Sequence, residues 1–181
     1  CWIEKMAYDN QKQNNYIIQE LVELFNKFPG IGPKSAQRLA YFTINQNHDE
    51  VKKFAETLLL VKEKIDLCTI CQDFTIDQQC KCQDESKNKD LICVVEDPMD
   101  VIAIDNSNAY VGTFHVLHGV ISPTQGIGPD DLKIKELIER IAVSTSSIKE
   151  VIIATNPNLE GEATAMYITK MLEPFSVKVS R

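Results

Sequence analysis

Leu91-Ile92-Cys93-Val94-Val95-Glu96-Asp97-Pro98 is where the character of this chain changes. Five apolar residues in a row, closed by two acids and a proline, predict a short buried strand followed by a helix that opens at Pro98. Beyond it the pattern alternates. Strands are expected around residues 110–111, 114–117, 151–154 and 177–179. Helices are expected over 130–143 and 161–172. Strands alternating with helices predict a mainly parallel sheet covered on its faces. Cys93 sits inside the apolar run and reads as a small buried hydrophobe.

Upstream of this point the periodicity is helical. Ile17, Leu21, Leu24, Phe25 and Phe28 recur at helical spacing. A second helix is predicted from Pro33 to Ile44 and a third over residues 49–65, with Asp49 as its N-cap. Residues 1–15 are polar, rich in Asn and Gln, and predict a disordered extension. Cys1 stands where a native chain normally carries Met, which suggests a fragment or an upstream extension, with Met6 as a candidate start.

Composition bounds the function. With 44% hydrophobic and 25% charged residues in 181, the chain is an ordinary globular protein. No apolar run has the ~18–20 residues of a membrane span, and no signal peptide is visible, so a cytoplasmic location is expected. The net charge of −7 does not advertise a nucleic-acid binder, whose usual footprint is basic, so any such role must rest on a local cluster.

One local cluster is the turn Phe28-Pro29-Gly30-Ile31-Gly32-Pro33-Lys34-Ser35-Ala36-Gln37-Arg38-Leu39-Ala40. Gly30 and Gly32 let the backbone bend tightly, and the free amides of the following helix can face a phosphate. Lys34 and Arg38, four apart, share one helical face and can flank a sugar–phosphate run without reading bases. An ordinary helical hairpin with two solvated cations is the competing reading. The pattern favours a helix-hairpin-helix DNA-binding element. Gly126-Ile127-Gly128-Pro129 repeats the turn but continues with Asp130 and Asp131, which repel phosphate; this second turn is expected to be a structural helix start.

Cys68, Cys71, Cys80 and Cys82 supply four thiols from one short stretch of chain. Clustering of this kind predicts a closed, structural C4 zinc motif whose metal provides folding free energy. Disulfide pairing is the alternative. The Cys80-x-Cys82 spacing is one residue tighter than the usual knuckle, so closure is expected to need strain or a changed loop.

Glu96, Asp100, Glu160 and Glu162 follow strand ends, where ligands gather in α/β sheets. They are candidates for a magnesium site or for an acidic partner-binding surface; helix capping and solvated edges are the structural readings. Two-metal phosphoryl-transfer sites of the Toprim kind carry Asp-x-Asp where this chain has Asn156-Pro157-Asn158, which weakens metal binding. A phosphate-binding Gly-rich loop ending in Gly-Lys-Ser/Thr is missing, which argues against an autonomous ATPase. His115 and His118 suggest no role.

Hairpin, four-cysteine cluster and α/β domain, in this order, resemble the RecR family of bacterial recombination mediators. The matching segments are 28–40, 68–82, 94–100, 126–132 and 154–165. The resemblance implies an α+β multi-module fold: a helix-hairpin-helix domain over 16–66, a C4 zinc-finger motif and linker over 67–90, and a Toprim domain over 91–181. It also implies ring-like homo-oligomers that encircle DNA and act with RecO and RecF to load recombinase on single-stranded gaps in recombinational DNA repair. Family members are not known as enzymes. By motif, the DNA contacts fall on Lys34 and Arg38, the zinc ligands on Cys68, Cys71, Cys80 and Cys82, and the partner-binding acids on Glu96, Asp100, Glu160 and Glu162. The alternatives are a Mg-dependent Toprim nuclease or primase and a zinc-dependent adaptor without its own DNA contact. Three departures stand out: the tight second cysteine pair, the unmatched segment 1–15, and an end at Val179-Ser180-Arg181 where the family continues with a tail that helps build the oligomer.

Overall fold

The computed structural model describes residues 16–143 and 148–181; the extension expected over 1–15 lies outside the described residues. The chain divides into two compact units, the first ending at Glu63 and the second running from Lys64 to Arg181.

The first unit is helical. Residues 16–26 form α1. Helix α2 runs Pro33–Ile44 and α3 runs His48–Lys64. Phe25 and Phe28 stack with ring centres 6.3 Å apart at the end of α1. Among the described residues of this unit only Ala36 and Ala40, small residues one turn apart on α2, are fully buried. Helix α3 is capped by Asn47, whose Oδ1 accepts the Glu50 amide at 2.8 Å. Asp49, the expected cap, instead lies in the first helical turn, where its charge complements the positive helix end.

In the second unit β1 (Ile65–Leu67) pairs antiparallel with β2 (Phe74–Ile76). A four-stranded sheet follows, built from β3 (Asn88–Val95), β4 (Gly112–Val116), β5 (Glu150–Ile153) and β6 (Lys178–Ser180). Its order is β4-β3-β5-β6 and every pairing is parallel, as the alternation predicts. Helices α4 (Pro98–Asn106), α5 (Ile134–Val143) and α6 (Leu159–Leu172) connect the strands. Successive residues of β3 point to opposite faces. Ile92 and Val94 pack with Leu137 and Ile141 of α5 and Ile168 and Leu172 of α6. Cys93 and Val95 pack with Phe114, Val116 and Val101 of α4. The sheet is thus the middle of three layers.

Four expectations are corrected. The helix expected from residue 130 begins at Ile134, because Asp131 Oδ2 accepts the Gly128 amide at 2.8 Å and closes a separate 3-10 turn over Pro129–Asp131. Of the two short stretches expected near 110 and 114, only the second is a strand, and residues 110 and 111 lie outside it. It starts at Gly112, with the Tyr110 hydroxyl folded back to donate to the Thr113 carbonyl at 3.0 Å. The polar stretch 83–90 is only partly a linker: β3 already begins at Asn88, and Lys87 pairs with Asp105 at 2.6 Å. Strands β1 and β2, too short to leave a pattern, are additional to those expected.

Candidate nucleic-acid interface and metal centre

In the first unit Gly30 adopts φ +78, a conformation that only glycine enters without strain. Gly32 is extended at φ −86, ψ 172 and is the N-cap of α2, with Pro33 in the first turn. No side chain caps that helix end, so its first amides are left open. A Cβ built on either glycine would meet nothing within 4 Å. Free space therefore lies in front of the turn. Lys34 and Arg38 are exposed, and neither makes an ion pair among the described residues. The turn can accept a phosphate.

The second copy of the turn has the same backbone. Gly126 has φ +73, and Gly128 has φ −98, ψ 176. Its open amide is taken by Asp131, as described above. Identical geometry thus carries opposite electrostatics, as the sequence predicts. Charge is also partitioned along the chain. Six basic residues balance six acidic ones between 16 and 63, whereas 64–181 hold 11 against 18.

The four cysteines converge. Their Sγ atoms all lie within 4.8 Å of one another, the one group of this kind among the described residues. Cys68 follows β1; its amide donates to the Asp73 carbonyl at 2.8 Å and its carbonyl accepts the Gln72 amide at 2.9 Å, which folds the first knuckle. Cys80 is the N-cap of a 3-10 turn over Lys81–Gln83, and Cys82 is its middle residue. That turn absorbs the missing residue: Cys82 Sγ comes 3.7 Å from Cys68 Sγ, and Cys80 Sγ 3.3 Å from Cys71 Sγ. A zinc ion with Zn–S bonds of ~2.3 Å in a tetrahedron requires sulfurs about 3.8 Å apart, so the cradle fits one metal ion. The cysteines are free, and the disulfide alternative is not realised. Contact with the neighbouring Cys82, then burial, raises the Cys71 thiol far above its ordinary range, and burial followed by Cys71 pushes Cys80 up to about 12.

This metal cradle is joined to the sheet. The Val116 amide of β4 donates to the Cys71 carbonyl at 2.9 Å. His118 Nε2 donates to the Gln72 carbonyl at 2.6 Å and its ring lies 5.8 Å from that of Phe74. Lys81 and Lys87 both reach Asp105 of α4, at 3.0 and 2.6 Å.

The four acidic candidates are each engaged separately. Glu96 Oε1 accepts the Asn156 backbone amide and Oε2 its side-chain amide, both at 2.7 Å. Asp100 forms a reciprocal capping box with Asp97 at the start of α4. Glu160 accepts from the Ser122 hydroxyl, and Glu162 pairs with Arg181 at 2.7 Å. A magnesium site of the kind the Toprim fold implies needs converging free carboxylate oxygens. Here Asn156 occupies both oxygens of Glu96, and these residues do not fit that metal. Three contacts at these sites escape sequence reasoning: the Asn156 clamp on Glu96, the Ser122–Glu160 contact, and Arg140, whose guanidinium reaches β4. All join residues far apart in sequence, and no local pattern signals them.

Comparison with known proteins agrees with this architecture. Residues 18–61 match the family described as RecR, helix-hairpin-helix, and residues 90–181 match the Toprim domain family. A curated protein of Acidothermus cellulolyticus, Recombination protein RecR, is 48% identical over 166 residues, covering 91% of this chain and 82% of that protein. Identity of that extent across both units, together with the helical hairpin, the four-cysteine cradle and the parallel sheet, means that this chain belongs to the RecR family.

Proposed function

We propose that this chain is a DNA-binding recombination mediator of recombinational repair, not a catalyst. The observation that carries this reading is the uncapped Gly30–Gly32 turn with open space before it and, beside it, Lys34 and Arg38 without an ion pair among the described residues. Such a surface holds the backbone of single- or double-stranded DNA with little sequence preference, because backbone amides and cations address phosphates rather than bases. Confinement of the acidic excess to residues 64–181 leaves the helical unit electrically neutral, so the cation pair is not overwhelmed locally.

The four thiols hold a structural zinc. Soft sulfur ligands in a closed tetrahedral set suit zinc and leave no open position for chemistry. The acidic ends of α4 and α6, with Glu96, Asp100, Glu160 and Glu162, form the surface that meets RecO and RecF. Glu162 is the exposed member. Self-association accompanies this role: α3 has no fully buried residue and carries Phe54, Leu58, Leu59 and Leu60 in the open, a face suited to another copy of the chain. A cytoplasmic setting, reducing enough for free thiols, is consistent with these features. Among the described residues no helix is long and apolar enough to cross a membrane.

The test is a DNA titration at low and moderate salt with Lys34→Glu and Arg38→Glu combined. Binding should be lost while the fold is kept, because both side chains are exposed. Single charge removals should flatten the logarithmic salt dependence by roughly one each. Unchanged affinity at low salt would take the hairpin out of the DNA site. DNA cleavage or primer synthesis that requires Mg²⁺ or Mn²⁺, and vanishes in Glu96→Gln, would reinstate the nuclease or primase alternative.

A further inference from the structure

Arg140 lies on α5 and is half-buried. Its Nη1 donates to the Phe114 carbonyl at 2.7 Å and its Nη2 to Thr113 Oγ1 at 2.8 Å. Among the described residues no carboxylate pairs with it. A cation that gives up part of its hydration without a carboxylate partner gains from a nearby negative charge.

The backbone shows where that charge is. Strand β4 is an edge strand, and residues two apart expose their peptide groups on the same side. Phe114 gives its outward carbonyl to Arg140; Val116 gives its outward amide to the Cys71 carbonyl at 2.9 Å. The Arg140 guanidinium and the Cys71 carbonyl therefore bond to successive outward-facing residues of one strand edge. Thr113 and Phe114 also line one small cavity with Cys71, Cys80 and Cys82. The two lysines bordering that cavity, Lys81 and Lys87, are both engaged with Asp105.

We propose that Arg140 is the electrostatic partner of the metal–thiolate centre: its fixed positive charge, anchored on the edge of β4, holds the net negative charge of four thiolates around a dication. Arg140 is a positioning residue here, acting through the thiolates without touching the metal. The inference rests on the zinc reading given above. It makes α5, an element far along the chain from Cys82, part of the metal site.

Zinc affinity is measured on the full chain by competition with a chromogenic chelator, after confirming one zinc per wild-type chain. Arg140→Gln keeps a hydrogen-bond donor and removes the charge; Arg140→Lys keeps the charge. Loss of an outer partner typically weakens a metal site about 10–100-fold. Arg140→Gln should fall in that range, Arg140→Lys should stay near wild type, and Thr113→Val, which removes one anchor but not the charge, should hold its zinc. Equal zinc affinity in Arg140→Gln and wild type overturns the proposal, as does a loss in Arg140→Lys as large as in Arg140→Gln. If Arg140→Gln does not fold, Arg140→Lys decides: retained zinc supports the charge, and lost zinc refutes it. Wild-type protein that binds no zinc would instead refute the zinc reading itself.

Discussion

Gly161→Ala is the substitution whose outcome the structure constrains most tightly. Gly161 is the third residue of α6, where replacing glycine by alanine ordinarily gains about 1 kcal/mol through helix propensity. Here the new Cβ would lie 2.1 Å from the Asn156 carbonyl oxygen and 2.9 Å from Glu96 Oε1. Carbon and oxygen settle at roughly 3.3 Å, so the start of α6 must retreat by about 1 Å. The retreat strains the Asn158 cap, which accepts the Gly161 amide at 2.7 Å, and the clamp that Asn156 closes on Glu96. Overpacking costs about 1–3 kcal/mol and a weakened cap about 1 more. Set against the propensity gain, net destabilisation of about 1–3 kcal/mol is expected. Urea denaturation followed by circular dichroism reads this as a lower midpoint at unchanged slope. Ala163→Gly, on the exposed side of the same helix, is the control and should lose only about 1 kcal/mol. A Gly161→Ala protein as stable as wild type would refute the close packing of α6 on the Glu96 clamp.

Burial lowers the pKa of His115 from 6.5 to about 4, with Nε2 donating to the Lys133 carbonyl at 2.8 Å. The unfolded chain then binds the proton more readily than the folded one, so stability is full above about pH 6.5 and falls towards pH 4, by up to about 3 kcal/mol in total; chemical denaturation across that range should show a slope that His115→Leu flattens. Burial, helped by the charge of Asp100, raises the Cys93 thiol to about 11; iodoacetamide at pH 8 should leave Cys93 unlabelled in the native protein and label it in urea. Asn156→Asp replaces an amide donor by a carboxylate against Glu96, and the two charges repel unless a cation joins them; Mn²⁺ should raise the melting temperature of this variant and leave wild type unchanged, and equal responses would dismiss the clamp as the reason for poor metal fit.

What the sequence made legible was whatever chemistry writes locally. The apolar run before Glu96, the Pro-Gly-Ile-Gly turn and the four cysteines each carry their instruction within one short segment, and each forms the element expected. The two glycine turns were even told apart, because Lys34 and Asp130 differ in sign at matching places. Illegible features were those settled by tertiary contact. The 3-10 turn over Lys81–Gln83 brings the sulfurs of Cys80 and Cys82 to Cys71 and Cys68. The break before α5, opened by the local Gly128–Asp131 contact, is held by Lys133 giving its amide to the Leu117 carbonyl at 3.0 Å. The fate of Glu96 depends on Asn156, 60 residues away. Strand ends suggest that the four acids converge on one crevice, yet each found a different nearby partner.

Strand β4 is fully buried although it lies at the margin of its sheet. What shields it is the cysteine loop, which is itself held together by sulfur chemistry rather than by apolar packing. A metal held by these four thiols would work as a selvage, binding off a fabric that could otherwise unravel or be knitted to its neighbour. Stripping or oxidising the thiols would bare a ledge of unsatisfied amides, and intermolecular strand pairing would begin from that side.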